Sequence, residues 1–255
     1  MKIIISPAKK MKDDTDSLPY ESLPVFLNEA DAILARLRRM RYDALKALWR
    51  CNDSIVALNW ERLNKMNLRN NLTPAILSYE GIQYRYMAPG VFETEMLSYL
   101  NEHLRILSGF YGLLRPFDGV APYRLEMQAK LSVGGCRDLY AFWGGRLAGA
   151  LCETCDFLLN LASHEYSRAV LPHLPESVRV LTCTFGEEID GRLVEKGTLC
   201  KMARGEMVRF LAEHRITSPG DIAYFNRLGY AYSKKLSTPD HYVFLKEKPA
   251  PQNAW

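Results

Sequence analysis

Cationic side chains that could neutralise phosphates occur in four parts of the sequence. They are Lys9 and Lys10 near the N-terminus, Arg62 and Lys65 in a helical region, Arg105, Arg115 and Arg124 in the central segment, and Lys201, Arg204 and Arg209 further on. Nucleic-acid binding needs such cations for the phosphates and further donors that fix the register of the backbone. If the fold brings even two of these groups together, a positive cleft results.

The same cations also have a purely structural interpretation. Each could cap a helix, cover apolar surface with its aliphatic stem, or pair with a carboxylate such as Asp118 or Glu126. Arg115 precedes Pro116, which favours an extended backbone and could hold the guanidinium for bidentate phosphate contact. A plain turn explains the same dipeptide, so both interpretations stay open.

A small group of lysine, arginine and glutamate residues indicates a second kind of chemistry. Lys9, Glu126 and Glu165 are the candidate catalytic residues, because with Arg124 they could form a phosphate-handling pocket in which a carboxylate acts as general base. The sequence has no Walker loop, no Gly-x-Gly-x-x-Gly segment, no zinc-protease motif and no nucleophile elbow. The alternative function is therefore an enzyme acting on a small phosphorylated or nucleotide ligand, with Glu126 otherwise neutralising a buried arginine.

The cysteines lie at positions 51, 136, 152, 155, 183 and 200. Cys152 and Cys155 have the spacing of a dithiol or metal motif, but one pair supplies two of the four ligands that structural zinc requires. We expect them to pack in a helix, with redox sensing as the alternative. We expect no metal site and no cofactor. Iron sequestration by histidines and cysteines is a third possible function, although these residues do not cluster along the sequence.

The composition is that of a globular protein with a modest basic excess. Of 255 residues, 48% are hydrophobic and 24% are charged, and the formal net charge is +4. No segment approaches the roughly twenty apolar residues of a membrane span, and the N-terminal apolar segment is too short for a signal peptide. We therefore expect a cytoplasmic protein with reduced cysteines, no membrane partner and a single domain over residues 1–255.

Hydrophobic patterning predicts an α/β (α+β mixed) fold with a central mixed sheet and surrounding helices. Strands are predicted at residues 3–5, 75–79, 104–109, 158–163 and 178–183, with a final pair between 230 and 245. Helices are predicted within residues 25–66, 93–103, 165–170 and 202–214. Asp190 and Gly191 predict a type I′ hairpin turn. Lys9 and Lys10 follow the first strand, where α/β sheets usually place ligand-facing groups.

Short motifs in a fixed order carry a resemblance to a known family. They are ISPAK at 5–9, RILSGFYGLLRPFD at 105–118, PYRLEM at 122–127, DLY at 138–140, FWG at 142–144, NLAS at 160–163, EY at 165–166 and ARG at 203–205, followed by Met207, Arg209 and Phe210. The set resembles the YaaA family of peroxide stress proteins. The resemblance implies a cytoplasmic protein made under hydrogen peroxide stress, associated with limiting free intracellular iron, with an unusual α/β fold, a helix-hairpin-helix element and DNA-binding ability.

The helix-hairpin-helix that the resemblance implies has a hydrophobic-Gly-hydrophobic-Asn turn, which corresponds here to residues 56–59. Ala57 replaces the glycine, and Asn59 is a candidate DNA contact. Because glycine lets the backbone approach a phosphate closely, Ala57 would weaken such a cradle. Gln128 stands where the family more often has glycine. The leading hypothesis is a DNA-binding protein that holds duplex or distorted DNA without sequence preference, through this hairpin and the central arginines.

Overall fold

Helices surround one large mixed sheet in the computed structural model of the protein, which describes residues 1–153 and 155–247. The α-helices are α1 (Leu27–Arg38), α2 (Tyr42–Trp49), α3 (Asp53–Lys65), α4 (Ala75–Ser78), α5 (Ile82–Met87), α6 (Thr94–His103), α7 (Leu139–Trp143), α8 (Arg146–Cys152), α9 (His164–Ser167) and α10 (Gly197–Glu213). Short 3-10 helices cover Pro89–Val91, Leu171–His173 and Pro219–Tyr224. The strands are β1 (Lys2–Ile5), β2 (Lys10–Met11), β3 (Thr73–Pro74), β4 (Tyr79–Glu80), β5 (Leu104–Ser108), β6 (Gly112–Leu114), β7 (Gly119–Val120), β8 (Phe157–Asn160), β9 (Arg179–Ile189), β10 (Arg192–Val194), β11 (Tyr230–Tyr232) and β12 (His241–Lys246).

Eight of the described strands form the central sheet, and β1 lies inside it between β8 and β5. The order is β11-β12-β9-β8-β1-β5-β6, with β10 paired to β9. Strand β1 is parallel to both neighbours, whereas β6 and β11 are antiparallel to theirs. The chain passes from β1 to β5 on one side and later to β8 on the other. In open α/β sheets such a change of direction opens a crevice at the carboxyl ends of the strands.

The burial of β1 explains why it can occupy the interior of the sheet. Ile3, Ile4 and Ile5 have no exposed surface, and every residue of β8 is also buried. A near-continuous apolar segment is typical of a parallel strand that is covered on both faces. Helix α6 packs against β1 and β5, while α10 packs against β9 and α5. The central strands are therefore held by a single hydrophobic core.

The fold class predicted from the sequence is confirmed, as are most of the individual elements. The strands expected at 3–5, 104–109, 158–163 and 178–183 appear as β1, β5, β8 and β9, and the final strand pair appears as β11 and β12. The hairpin turn is also confirmed, with φ of 50° at Asp190 and 73° at Gly191.

In the described ranges, no helix is both long and apolar enough to cross a membrane.

The strand predicted at residues 75–79 is wrong, because residues 75–78 form the short helix α4 and β4 begins at Tyr79. Short apolar segments do not distinguish a buried strand from a buried helix by periodicity. The N–H groups of Ala75 and Ile76 donate to the carbonyl oxygens of Asp118 and Pro116. Contacts with a segment some forty residues away therefore decide the local conformation.

The hairpin turn predicted at residues 56–59 is also wrong, because these residues lie inside helix α3. Asn52 caps that helix by accepting a hydrogen bond from the Ile55 N–H at 3.0 Å, so the helix has already begun before residue 56. Asn59 is 7% exposed and donates to the Ile55 carbonyl oxygen at 2.8 Å. The turn between α2 and α3 lies earlier, at residues 50–52, where Arg50 has a left-handed conformation with φ of 45°.

The contact between α10 and α5 gives a prediction about stability. A Cβ added at Gly205 would overlap the backbone carbonyl oxygen of Gln83 and lie 3.0 Å from the Met87 nitrogen. Gly205→Ala should therefore lower the free energy of unfolding by about 1–3 kcal/mol, measured by urea denaturation. Gly149→Ala in α8 is the control, since an added Cβ there has no neighbour within 4 Å. It should be neutral or stabilising by up to about 1 kcal/mol, and equal losses in both variants would contradict the packing argument.

Candidate functional site

A cavity of about 360 Å³, here called the first cavity, lies beyond the carboxyl ends of β1 and β8. The chain that leaves β1, the start of α5, the segment after β8 and one side of α10 form its walls. Its lining residues are Ser6, Pro7, Ala8, Lys9, Lys10, Glu80, Gly81, Ile82, Gln83, Tyr84, Glu126, Ser163, Glu165, Tyr166, Lys201 and Arg204. The cavity therefore lies where the topology of the sheet predicts a binding crevice.

Hydrogen bonds fix the loop that carries Lys9. Ser6 Oγ accepts from the Ser163 N–H at 2.8 Å, so the ends of β1 and β8 are tied together. The Tyr84 hydroxyl donates to the Ser6 carbonyl oxygen at 3.1 Å, which ties the same loop to α5. Gly81 permits a close approach, because an added Cβ there would lie 2.9 Å from the Ala8 Cβ. The loop thus leaves the sheet in a defined direction.

Glu126 is the centre of a small charge network at the mouth of the first cavity. Its carboxylate lies 2.9 Å from Lys9 Nζ and 3.8 Å from a guanidinium nitrogen of Arg124. Arg124 also donates to the Lys9 carbonyl oxygen at 3.4 Å. The Lys9 side chain is 63% exposed. Because the Lys9 end of this pair faces solvent, the ion pair is screened and an incoming anion can take the place of the Glu126 carboxylate beside Lys9.

Glu165 is a half-buried carboxyl group in the first cavity, and its surroundings change its ionisation. Burial raises the pKa of Glu165 above its usual value, and the charge of Glu126 acts in the same direction. The hydrogen bond that the Gln128 N–H donates to the carboxylate, at 3.3 Å, lowers that pKa by a smaller amount. The carboxyl therefore keeps its proton to a higher pH than an exposed glutamate does, and perturbed pKa values of this kind cluster at functional sites.

A second cavity of about 530 Å³ adjoins the first, and both are lined by Glu126. The end of α2 contributes Trp49 and Arg50 to it, and the opposite wall contributes Gln128 and Lys130. Arg50 and Lys130 are exposed. The two cavities together are called the groove below. Cations thus lie at both ends of the groove, while Glu126 lies where the two cavities meet.

Several buried hydrogen-bond donors at the groove have no acceptor. Four buried side-chain nitrogens of the described residues have no acceptor, namely Trp49 Nε1, Gln83 Nε2, Arg124 Nε and Arg204 Nε. Trp49 lines the second cavity, Gln83 and Arg204 line the first, and Arg124 contacts Lys9 and Glu126 at its mouth. A buried group without a partner costs about 1–3 kcal/mol. Since all four are donors, the groups that would satisfy them are acceptors such as phosphate or carbonyl oxygens.

The structure brings together part of the residue set predicted from the sequence. Those that line or border the groove are Lys9, Lys10, Arg124, Lys201, Arg204, Glu126 and Glu165. Arg105 and Arg115 do not, because they lie at the opposite edge of the sheet. Arg105 donates to the carbonyl oxygens of Asn101 and Leu104 at the start of β5, and burial together with the charge of Arg115 lowers its pKa.

The remaining predicted cations also lie outside the groove. Arg62 donates to the Met11 carbonyl oxygen at 3.1 Å, and Lys65 pairs with Glu61 at 2.7 Å beside a separate cavity of about 380 Å³. Arg209 pairs with Glu213 at 2.7 Å. Asn59 is bonded within α3. The predicted residues therefore form one cluster and several separate structural contacts.

Sequence reasoning missed Trp49, Arg50, Gln83 and Lys130. Gln83 follows the short polar turn Glu80–Gly81 and precedes an aromatic segment, and no known motif contains it. Trp49 has the helical spacing of a core residue and is indeed 4% exposed. Residues 36–50 are rich in arginine and lysine, but this pattern favours Arg50 no more than its neighbours.

Cys152 and Cys155 lie away from the groove. Cys152 ends α8, and Cys155 is buried with its Sγ 2.8 Å from the Phe157 carbonyl oxygen. Burial, with the nearby Cys155, raises the pKa of the Cys152 thiol, which lowers its reactivity. Within residues 1–153 and 155–247, no three histidine, cysteine, aspartate or glutamate side chains are grouped so that they could hold a metal ion.

The fold and the groove define an α/β protein with a donor-rich, cation-bordered site at the carboxyl edge of its sheet. The chain belongs to the family described as peroxide stress protein YaaA, whose model matches residues 1–236. This confirms the resemblance and places the chain among proteins of the oxidative stress response.

Similar proteins include the UPF0246 proteins of three bacteria. That of Lachnoclostridium phytofermentans is 51% identical over 246 residues, which cover 96% of each chain. That of Pediococcus pentosaceus is 50% identical over 248 residues, covering 97% of this chain and 99% of the relative. That of Lactiplantibacillus plantarum is 50% identical over 245 residues, covering 96% of this chain and 99% of the relative. The similarity therefore spans nearly the whole chain.

The raised pKa of Glu165 gives a prediction about stability and pH. The protonated Glu165 carboxyl makes its full contribution to the free energy of unfolding below the usual glutamate pKa of 4.5. That contribution is lost as the pH rises through the higher pKa of the folded state. The glutamine of Glu165→Gln stays neutral at every pH. The unfolding free energy of the variant should therefore rise relative to that of the parent across this pH range, and the difference should then stay constant. Urea denaturation between pH 4 and 8 measures the difference. Glu176→Gln, at an exposed position, is the control; parallel curves for the parent and Glu165→Gln would refute the assignment.

Proposed function

We propose that the groove binds the sugar–phosphate backbone of DNA, duplex or distorted, without sequence preference, in the response to peroxide stress. The observation that carries the proposal is the set of four unpartnered donors, on Trp49, Gln83, Arg124 and Arg204. Trp49, Gln83 and Arg204 line the groove, and Arg124 contacts Lys9 and Glu126 at its mouth. A nucleic-acid backbone offers an acceptor-rich chain of phosphates that extends through both cavities. A single small anion would reach one cavity alone.

The charges of the groove support this proposal, although the first cavity also contains carboxylates. It is lined by four cationic side chains, Lys9, Lys10, Lys201 and Arg204, and by Glu80, Glu126 and Glu165. Lys10 pairs with Glu80 at 2.8 Å and is 77% exposed, so this pair is as weak as that of Lys9. Phosphates can therefore replace carboxylates beside the lysines at little cost.

In this proposal the turn between α2 and α3 contacts DNA, which is the role that the sequence analysis had given to residues 56–59. It follows Trp49 and begins at Arg50, both of which line the second cavity. In this proposal the helix-hairpin-helix contact consists of the Arg50 guanidinium and the Trp49 indole rather than a glycine-based cradle of backbone amides. The association with limiting free intracellular iron enters the proposal from the family resemblance.

Two groove lysines test the proposal by the salt dependence of binding. Lys130→Gln and Lys201→Gln should each weaken the binding of a fluorescein-labelled duplex, because each removes one exposed cation from an end of the groove. Each should also reduce the slope of log affinity against log salt concentration by about 1. Fluorescence anisotropy across a salt series, with duplex and bubble DNA, measures both effects.

Lys235→Gln is the matched control, since Lys235 is exposed between β11 and β12, away from the groove. It should bind DNA as the parent protein does. Binding by the parent that does not respond to salt, or equal losses for all three variants, would refute backbone binding in the groove.

An enzyme acting on a small phosphorylated or nucleotide ligand is the second candidate function. Glu165 favours it, because a half-buried carboxyl with a raised pKa stands in the same cavity as Lys9 and Arg204. Such a carboxyl can give or take a proton at a higher pH than an ordinary glutamate does, while the cations hold the phosphate. Lys9 and Glu126 are the other candidate catalytic residues in this proposal.

Turnover of small phosphorylated compounds tests the second candidate. The parent protein should convert at least one member of a panel of nucleoside phosphates and sugar phosphates, followed by ³¹P NMR. Glu165→Gln should lower the rate by about 100-fold or more, since acid–base catalysis contributes about that much. Lys235→Gln should leave the rate unchanged. A panel in which the parent converts nothing counts against the enzyme.

A further inference from the structure

We infer that the first cavity binds one phosphorylated nucleoside, with its phosphate beside Lys9, Lys201 and Arg204 and its base toward Gln83. The inference rests on the proposed function and adds the chemical class that this part of the groove recognises. The nucleoside unit is either a nucleotide turned out of a bound strand or a free nucleotide. Both sources present the same chemistry to the cavity.

Gln83 is the residue that identifies a base rather than a phosphate alone. It is 7% exposed, lies in the first turn of α5 and lines the cavity, and its Nε2 has no acceptor. The close contact between Gln83 and Gly205 of α10 holds its backbone in place. A buried amide donor matches a ring carbonyl oxygen or ring nitrogen, because these are the uncharged acceptors of a nucleobase. A phosphate is instead matched by the cations at the mouth.

Two buried aromatic side chains line the first cavity and could contact the flat ring of a nucleobase. Tyr84 is 4% exposed and Tyr166 is 7% exposed, and both line the cavity. The Tyr84 hydroxyl is engaged with the Ser6 carbonyl oxygen, so the ring is fixed in position. Base–aromatic contacts tolerate every base, because each has a π-face. A site with aromatic walls, one amide and a cationic mouth therefore suits a nucleoside phosphate better than a sugar phosphate.

The size of the cavity and the position of its cations agree with a single nucleotide. Its volume of about 360 Å³ is within the range of small-molecule sites, about 300–1,000 Å³. Arg204 Nε has no acceptor, and its nearest carboxylate contact, with Glu195, is 3.8 Å long. A phosphate oxygen can therefore take the Nε–H. A larger cavity of about 650 Å³ beside the β9–β10 hairpin is lined by Glu187, Glu188, Asp190 and Glu247, which repel phosphates.

Gln83→Met tests the inference, because it removes the amide and nearly preserves the volume. We expect its melting temperature without ligand to equal or exceed that of the parent, since the buried Nε2 that it removes has no acceptor. We expect its affinity for the tightest-binding of AMP, GMP, CMP and TMP to fall by about tenfold or more, measured by calorimetry. Affinity for inorganic pyrophosphate should stay the same, which controls for the cationic mouth.

A single-stranded oligonucleotide distinguishes the two sources of the nucleoside. If the unit belongs to a strand, an oligonucleotide with abasic sites should bind less tightly than the intact one, and Gln83→Met should remove that difference. If the unit is free, mononucleotides should bind and the abasic change should have no effect. The inference fails if neither mononucleotides nor bases in a strand contribute to binding, or if Gln83→Met retains their full contribution. If this inference fails but the protein still binds duplex DNA in a salt-dependent way, the proposal of backbone binding stands alone. If mononucleotides bind and duplex DNA does not, the nucleotide site stands and backbone binding is refuted.

Discussion

Parallel hydrogen bonding of β1 to β5 on one side and to β8 on the other determines where the site can form. Because the three strands run in the same direction, their carboxyl ends meet at one edge, and the chain that leaves each of them passes over that edge. The loops that follow β1 and β8 are joined there by the hydrogen bond between Ser6 and Ser163. Lys9, Glu126 and Glu165 come from distant parts of the sequence and meet in the first cavity for this reason.

The groove combines features that reduce the stability of the free protein. Four buried donors have no acceptor, and burial raises the pKa of the Glu165 carboxyl. Natural proteins retain such groups mainly at functional sites, where a ligand supplies the missing partners. Two of the cations, Lys9 and Lys10, are themselves exposed, so their pairs with Glu126 and Glu80 are weak and phosphates can replace the carboxylates. The same residues therefore explain both the cost to stability and the expected affinity of the groove for acceptors.

The sequence predicted the sheet and part of the site, for identifiable reasons. Three consecutive isoleucines before Ser6 and Pro7 locate β1 and its end, and from there the position of Lys9 follows. Residues 75–78 and 56–59 were misassigned, because distant carbonyl groups and the Asn52 cap decide their conformation. The roles of Gln83 and Trp49 could not be predicted, since an unpartnered donor exists only after the chain has folded. Arg105 and Arg115 belong to the family motif but lie at the other edge of the sheet.

The most direct test of the account is to observe the unpartnered donors themselves. In ¹H–¹⁵N NMR spectra, the side-chain N–H signals of Trp49, Arg124 and Arg204 report whether each group gains an acceptor. Titration with a short DNA duplex at low salt should move these signals downfield, with the indole signal assigned through Trp49→Phe. The account predicts that all three groups respond together at saturation. Signals that stay in place while DNA shifts resonances elsewhere would show that the groove is not the binding surface.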